Sequence, residues 1–364
     1  MFDFIIIGGG IIGLLTAKEL QQTGARVAII EKNSPEQQAT RAAGGILSPM
    51  RPWHYSDAVN AISQISQSIY RDLSQQLHSA TGIDPEWILS GMLVLHDEET
   101  AEAIRWCQQH QAAHKMLAAR EFQQQFPYLK PIQQPALLRD DVATIRPAQL
   151  AAALSRYLSD QGVRFFKQNA QSLLFNKQRI SGVQLANEVI KAKEYIICGG
   201  AWSPQLIPAE SPAPEILPVK GQMICFPAIG IPKPCMVMDG NRYIIPRLDG
   251  QVVVGSTREN TGFDASTSPE AFAELRKFAE ELLPALKGLE PHAHWAGLRP
   301  SSPDSIPYIC RVEPYDNLSL NAGHFRNGIV LAPASAQVMV DILLERSSHI
   351  DHSPYQLRRS SSAN

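Results

Sequence analysis

No stretch of this 364-residue sequence holds the run of about 18 apolar residues that a helix needs to cross a lipid bilayer. The apolar start of the chain does not have the features of a secretory signal either. Asp3 is its only early charge, and no small-residue cleavage site follows. We therefore expect a cytoplasmic protein with no membrane partner.

Cysteine is scarce, and its spacing does not suit metal binding. The chain has five cysteines, no two of them form a Cys-x-x-Cys pair, and no nearby histidines complete a zinc-ligand set. The odd number and the apolar surroundings of Cys198 and Cys310 favour buried, reduced thiols. The sequence therefore predicts no metal site, and its cysteines fit a reducing compartment.

An excess of charge of either sign is also absent. The 33 lysines and arginines nearly balance the 35 aspartates and glutamates, which leaves a net charge of −2. Such a chain has no strongly basic field for nucleic acid, so a small-molecule partner is expected instead. Apolar residues form 44% of the chain, and the length indicates two domains or one large α/β unit.

Glycine, in contrast, is concentrated inside the most apolar stretch of the sequence. Residues 4–7 form a β-branched run typical of a buried parallel strand, residues 11–20 have helical spacing, and residues 25–30 form a second apolar strand. Glu31 stands at the end of that second strand. Between the first strand and the helix lies the motif Gly-x-Gly-x-x-Gly, formed by Gly8, Gly10 and Gly13.

Each part of this arrangement has a physical role in binding a dinucleotide. The first glycine permits a sharp turn, the second lets the backbone approach a pyrophosphate, and the third lets the helix pack closely on the strand. The N–H groups at the start of the helix face the anion, aided by the helix dipole. Glu31 can bind ribose hydroxyls and would repel the 2′-phosphate of NADP, but the motif leaves FAD and NAD both open.

The rest of the chain alternates between helical and strand patterns. Helices are predicted over residues 56–82, 98–118, 149–158, 269–287 and 333–345. Strands are predicted over residues 91–95, 163–166, 195–198, 217–227, 242–256 and 318–323, with a hairpin over 171–187. Glycine turns near both ends and in the middle indicate one sheet assembled from separated segments, with the stretches between them forming a second domain. The polar tail from Ser347 is expected to be mobile.

Several motifs occur together in the order found in one known family. They are GGGIIG at the start, TRAAGGIL, VKGQ at 219–222, RYIIPR at 242–247, VVVGST at 252–257, WAGLRP at 295–300 and AGHFRNGIVLAP at 322–333. The chain resembles the D-amino acid oxidase family of FAD-dependent amine oxidoreductases, from residue 3 to about residue 345. Within that family it is most similar to the glycine oxidases of thiamine thiazole synthesis.

The resemblance implies an α/β fold with two domains. One would be a Rossmann-like FAD-binding domain similar to that of glutathione reductase, formed by residues 1–82, 143–215 and 294–364. The other would be an α+β substrate domain with an antiparallel sheet, formed by residues 83–142 and 216–293. Related enzymes often form homotetramers, which is implied here only by analogy.

The resemblance also implies a noncovalently bound FAD. No cysteine precedes Ser302 at the position where related sarcosine oxidases attach their flavin. The helix that follows residues 324–330 would point its N-terminus at the flavin ring and stabilise negative charge on its reduced form. The implied cofactor-binding residues are Gly8, Gly10, Ile11, Ile12, Gly13, Glu31, Lys32, Ala39, Thr40, Gly44, Gly45, Ile46, Gln171, Gly200, His324, Phe325, Arg326, Asn327, Gly328, Ile329 and Val330.

The implied reaction is oxidation of an α-amino acid to an imino acid, which water converts to a keto acid or glyoxylate and ammonia, with oxygen reduced to hydrogen peroxide. Arg299 would bind the substrate carboxylate, because a guanidinium matches it with two parallel hydrogen bonds. Tyr243 would add a hydroxyl, and Arg326 would lie near substrate and flavin. A deprotonated amine can release hydride directly, so neither His54 nor His324 is needed as a base.

Four departures from the glycine oxidase pattern predict a different substrate range. Asn241 and Arg258 replace a histidine and a methionine, while Ile46 and Ser48 replace a methionine and a glycine. If Arg258 faces the pocket, it would favour a longer or acidic substrate.

Three other functions remain open from the sequence. They are a D-amino acid or sarcosine dehydrogenase that uses an acceptor other than oxygen, the flavin domain of a tRNA-modifying enzyme, and a non-catalytic flavin-binding protein. The chain is short for the second, and its charge does not favour RNA.

Overall fold

The computed structural model describes residues 1–32, 39–95, 98–232 and 234–357. Its helices are α1 (Ile11–Gln21), α2 (Ala39–Ala42), α3 (Asp57–Thr81), α4 (Thr100–Gln109), α5 (Ala119–Gln125), α6 (Pro147–Asp160), α7 (Pro269–Leu282) and α8 (Gly328–Leu343). Its strands are β1 (Phe2–Ile7), β2 (Val27–Ile30), β3 (Ile46–Leu47), β4 (Met92–Leu95), β5 (Lys115–Leu117), β6 (Ala136–Arg139), β7 (Ala143–Thr144), β8 (Arg164–Phe166), β9 (Ser172–Asn176), β10 (Arg179–Gln184), β11 (Val189–Ile190), β12 (Ala192–Ile197), β13 (Leu217–Phe226), β14 (Met236–Asp239), β15 (Arg242–Pro246), β16 (Val252–Gly255), β17 (Ala293–Ser301), β18 (Tyr308–Arg311) and β19 (Leu318–Ala322).

The first sheet has six strands in the order β18-β19-β12-β1-β2-β8. All neighbours are parallel except β18, which is antiparallel to β19. The central strand β1 pairs through Ile6 with Ile29 of β2 and with Ile196 of β12. These strands are continuous apolar runs because helices or a second sheet cover both of their faces.

Helices α1, α3, α6 and α8 bury their apolar sides together against one face of this sheet. The small sheet β11-β10-β9 contributes to the apolar cluster on the other face. Helix α8 contains Pro333, which has no N–H for the carbonyl of Ile329. The hydroxyl of Tyr70 on α3 donates to that carbonyl instead, so the helix continues through the proline.

The second sheet has eight strands in the order β17-β13-β16-β15-β14-β4-β6-β5. Every pair is antiparallel except β4 and β14. Helices α5 and α7 cover one face with Phe122 and Leu275 in its core. The other face carries Met223 and Tyr243 and turns toward the first sheet.

The expected fold class is confirmed, since the chain forms a Rossmann-like parallel sheet and a second, mostly antiparallel sheet. The predicted helix over 56–82 is confirmed as α3, which ends at Gly82 in the left-handed conformation. The hairpin over 171–187 is confirmed as β9 and β10. The part of the chain that the structure describes contains no helix long and apolar enough to cross a membrane.

Some predicted bounds are wrong. The helix expected over 98–118 ends at Gln109 and is followed by strand β5. The prediction was too long because the polar residues between the two elements carry no strong stop signal. The helix expected over 269–287 ends at Leu282, before Pro284, and a short 3-10 helix follows it. The strand expected over 242–256 is a hairpin of β15 and β16. Helix α8 begins five residues before the expected position 333.

The predicted division into domains is untested, and one strand bears on its boundary. Strand β17 is hydrogen-bonded along its length to β13 and therefore belongs to the second sheet. A boundary at 294 would separate it from that sheet, so we propose that the second domain extends to Ser301. The last residues of the predicted first domain, 358–364, lie outside the described residues.

Candidate functional site

A cavity of about 580 Å³ lies between the two sheets. One wall consists of the carboxyl ends of β1, β2, β12 and β19, where Gly8, Glu31, Gly199 and Gly323 follow the strands. The opposite wall comes from β13, β15 and β17 of the second sheet. A ligand in this position would touch both sheets, and the carboxyl edge of a parallel sheet is where dinucleotides bind.

The turn between β1 and α1 is shaped by two very close backbone contacts. A Cβ atom on Gly8 would lie 2.3 Å from the carbonyl oxygen of Cys198, and Gly8 has a φ of +115° that disfavours other residues. A Cβ atom on Gly13 would lie 2.0 Å from the carbonyl oxygen of Gly8. Side chains are therefore excluded at both positions, and α1 points its N-terminus at the cavity.

Two side chains fix this turn from neighbouring segments. The hydroxyl of Thr40 accepts a hydrogen bond from the N–H of Ile11 at 2.9 Å, at the first position of α1. The carboxylate of Glu31 accepts one from the N–H of Gly9 at 2.8 Å. Glu31 thus holds the glycine turn and also lines the cavity. Next to it, the ammonium of Lys32 lies 4.5 Å from the ring centre of Trp202.

The loop before α8 forms another part of the wall. The imidazole of His324 is buried, and its Nε2 lies 3.1 Å from the hydroxyl oxygen of Ser335. Burial lowers the pKa of His324 to about 3, so the ring is neutral near pH 7. Asn327 lines the cavity at the start of α8, and its buried Nδ2 has no hydrogen-bond partner among the described residues. That amide can donate to a bound acceptor.

Arg299 brings a positive charge to the opposite wall. Its Nη1 donates to the carbonyl oxygens of Thr257 at 3.1 Å and Lys220 at 3.3 Å. Its Nη2 donates to the hydroxyl oxygen of Ser256 at 2.9 Å. Within the described ranges, no carboxylate forms an ion pair with this guanidinium.

The electrostatic surroundings of Arg299 favour the binding of an anion. Burial lowers the pKa of Arg299, and the positive charges of Arg326 and Arg258 lower it further. The hydroxyl of Tyr243 acts in the opposite direction. An anion placed here would relieve the repulsion between the guanidinium groups and restore the pKa of Arg299.

Tyr243 lies beside this arginine on β15. The residue is 6% exposed, and its hydroxyl lies 3.8 Å from the sulfur of Met223. A Cβ atom on Gly255 would lie 3.0 Å from the tyrosine ring. The ring is therefore packed between Met223 and Gly255, and it also lines the cavity.

The structure separates the residues that depart from the glycine oxidase pattern. Ile46 and Ser48 line the cavity, but Arg258 and Asn241 do not. Arg258 is exposed, and its guanidinium lies 5.7 Å from the ring centre of Phe325. Asn241 is exposed and accepts a hydrogen bond from Arg51. The structure therefore does not place the Arg258 side chain in the cavity wall.

Nearly all of the predicted site residues line this one cavity. They are Gly8, Gly10, Ile11, Ile12, Glu31, Lys32, Ala39, Thr40, Gly44, Gly45, Ile46, Gln171, Gly200, Tyr243, Arg299, His324, Phe325, Arg326, Asn327, Gly328 and Ile329. Gly13 and Val330 do not line it. Gly13 lies behind Gly8, and Val330 on α8 points into the apolar core, so neither presents a surface to a ligand.

Other cavity residues were missed by the sequence analysis. Trp202 and Gln205 follow β12, and Gly221 and Ser256 lie on the opposite wall beside Arg299. The glycine turn after β12 was a signal for the first pair. Gly221 and Ser256 lie in the quoted motifs VKGQ and VVVGST, but their place beside Arg299 could not be predicted, because it depends on how distant strands align.

His54 is not positioned to act on a ligand in the cavity. Its Nε2 lies 2.6 Å from the carboxylate of Glu99, and it does not line the cavity. His324 is held neutral by burial and is occupied by Ser335. The geometry therefore agrees with a site in which neither histidine acts as a general base.

The fold and the cavity together define a dinucleotide-binding protein that has a buried arginine, Arg299, in the opposite wall of its cavity. Residues 3–342 match the family DAO, described as FAD dependent oxidoreductase. The glycine oxidase of Pseudomonas aeruginosa is 40% identical over 353 residues, which cover 96% of this chain and 97% of that relative. The glycine oxidase of Pseudomonas putida is 39% identical over the same shares of the two chains.

Solved structures show the same similarity. The glycine oxidase from Bacillus cereus superposes with a TM-score of 0.90 at 26% identity, covering all of both chains. That from Geobacillus kaustophilus superposes with a TM-score of 0.91 at 25% identity, covering 99% of each. The chain belongs to the DAO family of FAD-dependent oxidoreductases. Its cofactor is therefore FAD, and the unpartnered Asn327 amide and the close-packed glycine turn fit such a group.

Proposed function

We propose that this enzyme oxidises glycine and other small amines, among them sarcosine and small D-amino acids. The products would be an imino acid, then glyoxylate or a keto acid with ammonia (methylamine in the case of sarcosine), and hydrogen peroxide formed from oxygen. The observation that carries the proposal is Arg299, a cation in the cavity wall that pairs with no carboxylate of the described chain. The names of the glycine oxidase relatives support the choice of substrate.

Arg299 would bind and orient the substrate through its carboxylate. The guanidinium is held by two carbonyls and a hydroxyl, so it can present its remaining N–H groups without first reorganising. The hydroxyl of Tyr243 would donate a further hydrogen bond to the same carboxylate. Arg326 would add positive charge from the loop before α8, where the sulfur of Met50 is a weak acceptor at 3.9 Å.

The chemistry that FAD supplies when bound is acceptance of a hydride from the substrate Cα. Gly8, Gly10, Ile11 and Ile12 would hold its pyrophosphate at the start of α1. Glu31 and Lys32 would lie at the adenosine ribose, and Gln171 and Gly200 nearby. Ala39, Thr40 and residues 44–46 would line the flavin, as would residues 324–329, while Gly13 and Val330 would support these contacts from behind.

The residues around the substrate would keep its amine neutral and would exclude water from the site. Arg299 and Arg326 place positive charge near the amine, which disfavours its protonated form. The wall formed by Tyr243 and Met223 is apolar and close-packed. No proton acceptor on the chain is needed for that step, because the nitrogen lone pair of a neutral amine forms the C=N bond as the hydride leaves Cα.

The decisive experiment is anaerobic addition of glycine to the purified yellow holoenzyme. Bleaching of the flavin absorbance shows that glycine is a substrate, and recovery of the colour in air with hydrogen peroxide shows an oxidase. Recovery only with a quinone or dye would favour the dehydrogenase alternative. No bleaching by any small amine would favour a non-catalytic flavin-binding protein and overturn the proposal.

Three further features of the enzyme are proposed with it. The first is a place in thiamine thiazole synthesis, supported by relatives named bifunctional protein ThiO/ThiG, such as that of Trichormus variabilis at 28% identity. The second is a cytoplasmic location, supported by five cysteines that are all buried. The third is a homotetramer, which light scattering of the holoenzyme would test.

A further inference from the structure

Arg247 is a buried arginine whose guanidinium joins two segments of main chain. The residue follows β15 and is 7% exposed. Its Nη2 donates to the carbonyl oxygen of Gly44 at 2.7 Å, and its Nη1 donates to that of Ile145 at 2.9 Å. The side chain therefore reaches from the second sheet to two segments packed against the first.

No ion pair explains the burial of this charge. The neighbouring Arg146 binds the carboxylates of Glu86 at 2.9 Å and Asp249 at 2.8 Å. In the described part of the chain, no carboxylate lies within ion-pair distance of Arg247 itself. Burial lowers the pKa of Arg247 to about 10, so it remains charged near pH 7. A buried cation without an ion pair is costly. Here the two terminal nitrogens of the guanidinium each donate a hydrogen bond to one carbonyl.

The carbonyl of Gly44 belongs to the segment that lines the cavity. The next residue, Gly45, has a φ of +76°, and a Cβ atom there would lie 2.0 Å from the carbonyl oxygen of Ile145. The N–H of Ile145 donates to the carbonyl of Gly45 at 2.8 Å. Arg247 thus closes a second set of hydrogen bonds around the Gly44–Gly45 peptide and fixes its orientation.

The same strand face connects this segment to the tyrosine of the site. Tyr243 and Ile245 are alternate residues of β15, and Arg247 is the next alternate residue just after the strand, so their side chains point to one side. A Cβ atom on Gly44 would lie 2.8 Å from Cδ1 of Ile245 and 3.3 Å from the ring of Tyr243. All three side chains therefore converge on Gly44.

We propose that Arg247 is a positioning residue, which holds the segment from Gly44 to Ile46 in place against FAD and fixes its distance from Tyr243. The inference rests on the proposed flavin contact of Gly44 and Gly45. It does not depend on which amine is the substrate, and its test uses none.

The experiment compares Arg247→Lys and Arg247→Met with the matched control Arg146→Lys. The lysine retains the charge but lacks the planar fork, and the methionine removes both. The control changes the adjacent arginine in the same way and leaves the contacts to Gly44 intact. For each protein, the FAD dissociation constant is measured by flavin fluorescence, the visible spectrum is recorded at saturating FAD, and apoprotein stability is measured by urea unfolding.

We expect both Arg247 variants to bind FAD at least about tenfold more weakly than the parent, with shifted flavin absorption bands at saturation. The control should bind FAD within about twofold of the parent and leave the bands in place. Unchanged affinity and bands in both Arg247 variants would overturn the proposal. Failure of both to give folded apoprotein, or equal effects in the control, would show a purely structural brace and overturn it too.

Discussion

The guanidinium of Arg299 on β17 lies over the α-carbon of Gly221 on β13, whose partner in the strand register is Gly297. A Cβ atom at position 221 would lie 2.0 Å from Nη2 and 2.2 Å from Cζ of the arginine. The guanidinium of Arg299 therefore occupies the space that a side chain at position 221 would fill.

Gly221→Ala should displace the arginine without touching FAD. Loss of charged hydrogen bonds to the substrate carboxylate costs about 1.5–3 kcal/mol, which corresponds to a fall of about 10- to 150-fold in kcat/KM for glycine. Steady-state kinetics and an FAD titration check this. Gly230→Ala is the control, since a Cβ atom there would meet no atom of the described residues within 4 Å. Equal kinetics in both variants would contradict the prediction.

Arg299→Lys should lose most of the activity and keep the yellow colour. An ammonium retains the charge but cannot make the two parallel hydrogen bonds of a guanidinium, so KM for glycine should rise at least about tenfold. In Arg299→Ala, KM for glycine should rise further. Both variants should bind FAD with the affinity of the parent. The measurement is kinetics beside a fluorescence titration of FAD. Parallel loss of FAD affinity and activity would show that Arg299 supports the fold instead.

Thr40→Val should destabilise the apoprotein. Valine has nearly the shape of threonine but gives the N–H of Ile11 no acceptor, and a buried unpaired N–H costs about 1–3 kcal/mol. Urea unfolding of the apoprotein measures the change in the free energy of unfolding. Thr40→Ser keeps the hydroxyl and should retain most of the stability. A serine variant as unstable as the valine variant would assign the effect to packing.

The free energy of unfolding should decrease as the pH is lowered, because His324 is buried in its neutral form. The pKa of this residue is lowered from 6.5 to about 3 in the folded protein, so the unfolded chain binds a proton over that window and the folded protein does not. Its contribution is fully present above pH 6.5 and is lost as pH falls toward 3, by up to about 1.4 kcal/mol per pH unit.

Urea unfolding of the FAD-saturated protein between about pH 7 and about pH 5 tests this, because most carboxyls remain ionised there. His324→Asn should be less stable than the parent near pH 7 but should show a smaller loss on acidification. Identical pH slopes in the two proteins would mean that the buried ring is protonated or that the folded state opens to water.

The sequence was most informative where structure is local. The unit from β1 through Glu31 follows from apolar runs, three glycines and one acid that all lie in one short stretch of the chain. Arg299 and Tyr243 were predicted only through the family resemblance, but the structure brings them into one cavity. Their surroundings could not be predicted, because the carbonyl of Lys220 faces Arg299 only through the register between β13 and β17.

The helix bounds show the same limit. Helix α3 has a clear apolar period and a glycine stop, and its ends were predicted to within one residue. Helix α8 was placed too far along the chain, because Pro333 suggests a helix start when only the sequence is visible. In the structure, Tyr70 from a distant helix supplies the donor that Pro333 lacks. A tertiary contact thus removes a local stop signal.

Strand β17 carries Arg299 in the second sheet, and two residues later Ser301 forms a bridge with His324, which begins the loop before α8. The proposed anchor for the substrate and the proposed cofactor loop are therefore separated by two peptide units of one extended strand. That strand fixes the distance between them. Side chains on the other strands can change the size and polarity of the cavity, and hence the amines it admits, while the reach from carboxylate anchor to cofactor stays the same.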